Sequence, residues 1–241
     1  MKIRVVVLSI LIFLTSCKKL PSNFKLCDHF GPNLNECLTD AVTSAVHQMK
    51  NGLPEIDAPP LDPLQISSAA VEKGGLHIHF FDIHVYNITD SLVHHVNATI
   101  TSSRIHMTML ASAEEILTTM DYNIKGSLLV FTLNGGDKAV IRFKNVTFDL
   151  ELDGDVVEKN GEQRFRINTF TAKLDPALVT YDMQDIFQGQ KELTDVFNRA
   201  LNENWHVFFY ETQPEFEEIL SQFLVQYANN VFKYVPIEKP N

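Results

Sequence analysis

Residues 191–232 read KELTDVFNRALNENWHVFFYETQPEFEEILSQFLVQYANNVF. Leu193, Val196, Phe197, Ala200, Leu201 and Trp205, then Phe216, Ile219, Leu220, Phe223, Leu224, Tyr227, Val231 and Phe232, recur at the three- and four-residue steps of one helix face. Thr212-Gln213-Pro214-Glu215 interrupts the run with a capping-box pattern and a proline that a first helical turn tolerates, so the helix kinks there or restarts. The apolar face is wide and aromatic, wider than a helix resting on one flat sheet face needs. Its natural partner is a sheet curved around it.

Upstream, from about Leu76 to Leu174, apolar and polar residues alternate and strands dominate, apart from a turn-like stretch with helical character near Ala113 to Leu117. Leu76, Ile78 and Phe80 alternate with His77 and His79; the parity then shifts, and Phe81, Ile83 and Val85 alternate with Asp82, His84 and Tyr86. The Phe80-Phe81 pair therefore predicts a bulge that bends the strand. Val146, Phe148, Leu150 and Leu152 face one way on a later strand and Thr147, Asp149, Glu151 and Asp153 the other. Asn160-Gly161 predicts the next hairpin, since both residues tolerate positive φ, and Phe165 and Ile167 begin the return strand. Asn134-Gly135-Gly136 marks another turn. The chain reads as α+β with a buried terminal helix.

Nearer the N-terminus, Leu34, Cys37, Leu38, Ala41, Val42, Ala45, Val46 and Met49 keep helical spacing between Asn33 and a stop at Gly52. Pro54, Pro59, Pro60 and Pro63 forbid its continuation and predict an extended strap over residues 53–64. At the very start, Lys2 and Arg4, an apolar run from Val5 to Leu14 and the small residues Thr15-Ser16-Cys17 read as a signal peptide, residues 1–17. The run falls far short of the ~20 apolar residues a membrane-spanning helix needs. Residues 18–241 are then expected to be one secreted, soluble domain. Cys27 and Cys37 remain, an even count in an exported chain, which predicts a disulfide worth roughly 3 kcal/mol. Two cysteines with only His29 nearby do not complete a zinc site. Sequons at Asn87, Asn97 and Asn145 fit the export route and require outward-facing side chains if glycosylated.

The 241 residues are 45% hydrophobic, which excludes a disordered chain. Lys and Arg total 20 against 30 Asp and Glu, a net charge of −10, which excludes a general nucleic-acid binder because phosphate contacts need surplus positive charge. Loss of the leader removes Lys2 and Arg4 and no acid, leaving 18 basic against 30 acidic residues, or −12. The 17 Phe against one Trp suit a dry interior.

Six motifs then occur in order: Cys27-Asp28-His29-Phe30-Gly31-Pro32-Asn33-Leu34-Asn35-Glu36-Cys37, Gly52-Leu53-Pro54-Glu55, Pro59-Pro60-Leu61-Asp62-Pro63-Leu64, Asp121-Tyr122-Asn123-Ile124-Lys125-Gly126, Lys191-Glu192-Leu193 and Leu201-Asn202-Glu203-Asn204-Trp205. Together they resemble the insect takeout and juvenile-hormone-binding protein family from Leu20 to Pro240, and the Pro59–Leu64 and Asn202–Trp205 motifs resemble its takeout branch more than its hormone carriers. The ending Val235-Pro236-Ile237-Glu238-Lys239-Pro240 departs from the family in lacking aromatic residues. The resemblance implies a strongly curved antiparallel β-sheet wrapped around the long C-terminal α-helix, with an apolar tunnel between them. It also implies an extracellular carrier of a hydrophobic small molecule, such as a juvenile-hormone-like terpenoid or a fatty acid, linked in the takeout branch to feeding and circadian physiology. No cofactor or metal is expected, no nucleic acid or membrane span, and no partner beyond the ligand and an unidentified receptor.

The expected lining is Phe80, Ile83, Tyr122, Ile124, Val130, Phe143, Phe148 and Leu150 from the strands, with Trp205, Phe209, Phe216, Leu220 and Phe223 from the helix; each could equally be ordinary core. Trp205 and Tyr122, each with one donor on an apolar body, are the expected polar handles. About twelve ligand carbons buried at about 0.8 kcal/mol per methylene gain on the order of 10 kcal/mol gross, enough for a carrier without chemistry. A secreted hydrolase or esterase acting on such a lipophile is the alternative, and an adaptor docking on a receptor a third. His77 and His79 share a strand face but read as its solvated side, and Asp149–Asp153 alternates as a strand rather than a calcium loop, whose twelfth position would be Asn160. No Gly-x-Ser-x-Gly, His-Glu-x-x-His or phosphate-loop motif occurs.

Overall fold

The structure, a computed structural model, describes residues 20–28, 31–128, 131–159, 161–235 and 237. The leader, His29, Val130 and Asn160 lie outside the described residues. Seven strands form one antiparallel sheet: β1 (Leu64–Lys73), β2 (Leu76–Tyr86), β3 (Leu92–Ile100), β4 (Arg104–Leu128), β5 (Phe131–Gly135), β6 (Lys138–Lys159) and β7 (Glu162–Met183). The main order is β1-β2-β4-β6-β7, and the long β4 carries β3 then β2 along one side and β6 then β5 along the other. The described helices are α1 (Leu34–Gln48), α2 (Lys191–Glu203) and α3 (Trp205–Phe232).

The lengths force the curl. The 25 residues of β4 span roughly 80 Å and the 28 of α3 about 42 Å. The sheet therefore coils around the helix, helped by its right-handed twist and by bulges at Phe81/His84, Val93/His95 and Asp153/Gly154. A sheet curled this way keeps free edges, and helix side chains serve the one at β7. On β7, Asn198 and Asn202 of α2 and Asn229 of α3 each bond both the N–H and the C=O of one residue, Met183, Tyr181 and Ile167 respectively. Gln213 and Glu217 do the same jointly for Leu174. These carboxamides stand in for a missing neighbour strand, which satisfies an edge that would otherwise template aggregation. At the opposite edge, Lys73 of β1 pairs with Glu215 (3.4 Å) and Glu211 (3.8 Å) of α3.

Several local expectations are corrected. The first bulge lies at Asp82 (φ 50), one residue later than the Phe80-Phe81 pair, so Phe81 stays on the outer face at 37% exposure while Ile83 turns inward. The Ala113–Leu117 stretch is mid-β4 in spite of its helix-forming residues: it pairs with β6 along one side, in the gap where β3 pairing ends at Ser112 and β2 pairing begins at Leu117. The helix does not restart at Pro214, which stands on the exposed face of α3; the carbonyl it frees, that of Tyr210, belongs to an exposed residue that water can serve. The break lies at Asn204, whose backbone N–H and side-chain amide both donate to Ala200 O. The strap contains a 3-10 turn, Pro54–Ile56, and ends in β1, a strand that the sequence reading left out.

Candidate functional site

The inner face of the sheet and the apolar faces of α3 and α1 enclose a cavity of about 660 Å³, within the roughly 300–1,000 Å³ of ligand pockets. From the sheet it is lined by Phe80, Ile83, Phe143, Phe148 and Leu150 together with Met107, Met109, Ile116 and Met120; from α3 by Phe209, Phe216, Leu220 and Phe223; and from α1 by Leu38, Val42 and Ala45. The arm of residues 20–28 adds Leu20, Phe24 and Leu26. None of the 15 residues of α1 is buried: Leu38, Val42 and Ala45 touch the apolar clusters of the wall and also border the open cavity, which leaves them half-buried. Polar ties also hold α1: Asn35 to Asn97 and to Ala98 N, and Thr39 Oγ1 to Val96 N, all on β3. The Cys27–Cys37 disulfide fastens the arm to α1, as the cysteine count predicts.

One end of the tube is packed solid. Phe131, Phe187 and Phe197 meet with ring centroids 5.1–6.3 Å apart, and Tyr122, Ile124, Leu133 and Leu201 fill the space around them. Tyr122, Ile124 and Trp205 belong to this plug and do not line the cavity, so of the expected lining residues these three are placed elsewhere. Tyr122 is fully buried and its hydroxyl donates to Gln184 O at 2.6 Å, which leaves no handle for a ligand. Burial, reinforced by Asp185 and Asp137, pushes its phenol well above the usual tyrosine range. Gly136 (φ 152) closes the neighbouring corner: a Cβ there would lie 2.2 Å from Tyr122 O, so only glycine fits.

The sequence reading missed the α1 face, the methionines and the polar lining. Thr118, Gln213 and Glu217 line the cavity with Ser91, and Lys25 and Asp28 approach from the arm. A signal for two of them was present: Gln213 and Glu217 fall at four-residue steps from Phe209 and beside Phe216 and Leu220, on the apolar stripe itself.

Outside the cavity, His77 and His79 are exposed on the outer face of β2. His106, Glu151 and Asp153 bring ligand atoms within 4.8 Å of one another, also on the outer face, where His106 Nδ1 already meets Asp153 Oδ1 at 3.1 Å. Asn97 and Asn145 are exposed, whereas Asn87 is half-buried and its sequon partner Thr89 donates its hydroxyl to Asp62 at 2.9 Å. No described helix is long and apolar enough to cross a membrane.

Comparison with known proteins places this architecture. The circadian clock-controlled protein daywake of Drosophila melanogaster is 20% identical over 213 residues, 84% of this chain and 82% of that protein. Its counterpart in Drosophila yakuba is 21% identical over 231 residues, 91% and 87% of the two chains. The crystal structure of Epiphyas postvittana Takeout 1 superposes with a TM-score of 0.74 at 19% identity, over 84% of this chain and 93% of that one, so the curled sheet around a terminal helix is the takeout fold. Residues 5–239 match the model of the haemolymph juvenile hormone binding protein family, and the chain belongs to that family.

Proposed function

We propose that this protein is a secreted carrier that holds one hydrophobic small molecule in the cavity between sheet and α3. The observation that carries the reading is the cavity itself: about 660 Å³ of space walled by Phe, Leu, Ile, Val and Met, with α1 presenting an apolar face to it. An empty space of this size forfeits dispersion contacts and leaves apolar surface unpaired, a cost that a bound lipophile offsets. The family supports binding rather than chemistry, and among the described residues no histidine lines the cavity. Phe80, Ile83, Phe143, Phe148, Leu150, Phe209, Phe216, Leu220 and Phe223 are the proposed ligand contacts. The reading includes removal of residues 1–17 on export and glycosylation at Asn97 and Asn145. The relatives' circadian names support a role in rhythmic physiology.

Turnover separates this reading from a hydrolase. Incubation with a terpenoid ester and organic extraction should return the ester unchanged in an amount equal to the protein that bound it. Accumulation of free acid above a boiled control would establish the hydrolase instead.

A further inference from the structure

The cavity wall is apolar except for a few points, and on α3 the exceptions are Gln213 and Glu217. Leu174 N and Gln213 Nε2 both donate to Glu217 Oε1, at 2.9 and 2.7 Å, and Gln213 Nε2 also donates to Leu174 O at 2.8 Å. The donors of the pair are thereby spent within the protein. The acceptors are not: neither Gln213 Oε1 nor Glu217 Oε2 meets a donor among the described residues. Thr118, on the facing wall of β4, adds a hydroxyl. Among the described lining residues the one cation is Lys25 on the arm, and it is engaged by Asp40 at 2.9 Å. Both oxygens stay open to accept from an occupant of the cavity, so a ligand donor placed there gains a hydrogen bond, whereas a second carboxylate beside Glu217 meets a like group and offers no donor.

We infer that Glu217 and Gln213 form a hydroxyl-recognition point, so that the cavity selects an elongated lipophile bearing an alcohol group, of long-chain or terpenoid type, and discriminates against the carboxylate of a fatty acid. This rests on the carrier reading above and adds the ligand's chemical class. The alcohol donates to Glu217 Oε2 while its hydrocarbon body lies along Phe216, Leu220 and Phe223.

The test compares three probes of one chain length, cetyl alcohol, methyl palmitate and palmitate, in displacement of a fluorescent apolar dye from the whole secreted protein. The expected order is alcohol, then ester, then acid, with the alcohol at least about tenfold tighter than the acid, the size of one charge-assisted hydrogen bond. In Glu217→Gln, which keeps an oxygen for Leu174 N, acid affinity should rise and alcohol affinity fall until the two lie within about threefold. Palmitate binding as tightly as the alcohol to the unaltered protein would overturn the inference, and that comparison needs no variant. An unchanged order in Glu217→Gln that still binds the ester normally would overturn the assignment to Glu217. The ester separates the two claims: its binding with no preference for alcohol sinks only the hydroxyl point, whereas failure of all three probes sinks the carrier reading with it.

Discussion

Asp62 shows how much of the recognisable sequence serves joints rather than the cavity. Its carboxylate accepts from Asn87 N at 3.0 Å and from the Thr89 hydroxyl at 2.9 Å, which pins the proline strap to the corner after β2. Pro59, in the same motif, offers its carbonyl to the Tyr227 hydroxyl at 2.9 Å, and Leu61 packs with Met49, Ile56 and Tyr227. Asn202, in the motif that heads α3, serves the edge of β7, and Tyr122 closes the plug. The motifs that carry the family resemblance were thus legible as a fold signature and silent about the ligand. Burial pushes the Tyr227 phenol up to about 12 from an ordinary 10.0. A folded-state value above the unfolded one contributes stability that is complete below pH 10 and is lost as pH rises towards 12. Tyr227→Phe should cost about 1 kcal/mol in urea unfolding at neutral pH through the lost hydrogen bond, and should make the stability loss between pH 10 and 12 shallower. A variant as alkali-sensitive as the parent would place that sensitivity in Tyr122 and Tyr181, whose phenols burial also raises.

At the scale of elements, strands with one face inward were readable where alternation is strong, as along Val146–Leu152 of β6. β1 was not, because Ser67-Ser68-Ala69-Ala70 gives small and polar residues on both faces. The break at Asn204 escaped notice because a proline ten residues later is the louder punctuation. The carboxamides on β7 could not be read at all, since Asn229 meets a strand 62 residues away and only the fold brings them together. Asn229→Leu should lower stability by roughly 1–3 kcal/mol, the cost of two unsatisfied backbone groups, with faster hydrogen exchange at Ile167 and little change near Met183. Uniform protection along β7 in that variant would mean that the edge needs no such cover. Replacing Cys27 and Cys37 together by Ser should cost roughly 2–4 kcal/mol and free the arm to proteolysis ahead of α1, as limited digestion and thermal melts would show.

For the molecule as a whole, the wide aromatic face of the last helix foretold the curl of the sheet, and the physical reason holds at both ends of the tube. At the plug that face meets side chains, and further along it meets space. Sequence periodicity cannot distinguish those two fates of an apolar residue, which is why Trp205 and Ile124 read like Phe216 and Leu150. Filling the space is the corresponding test. Ala111→Phe, on the inner face of β4, should reduce binding of a bulky lipophile at least about tenfold at a stability cost below the 1–3 kcal/mol of ordinary overpacking, because the ring has a void to enter. Unchanged binding with an intact fold would remove Ala111 from the binding surface.

The central claim, that this chain carries a lipophile in the cavity along α3, is tested most directly by native mass spectrometry of the disulfide-intact protein, followed by organic extraction of whatever is bound. The account predicts one lipophile per chain, lost on unfolding and restored when the stripped protein is offered a neutral long-chain or terpenoid compound. A protein that emerges empty and takes up no terpenoid ester, long-chain alcohol, fatty acid or quinone would contradict it.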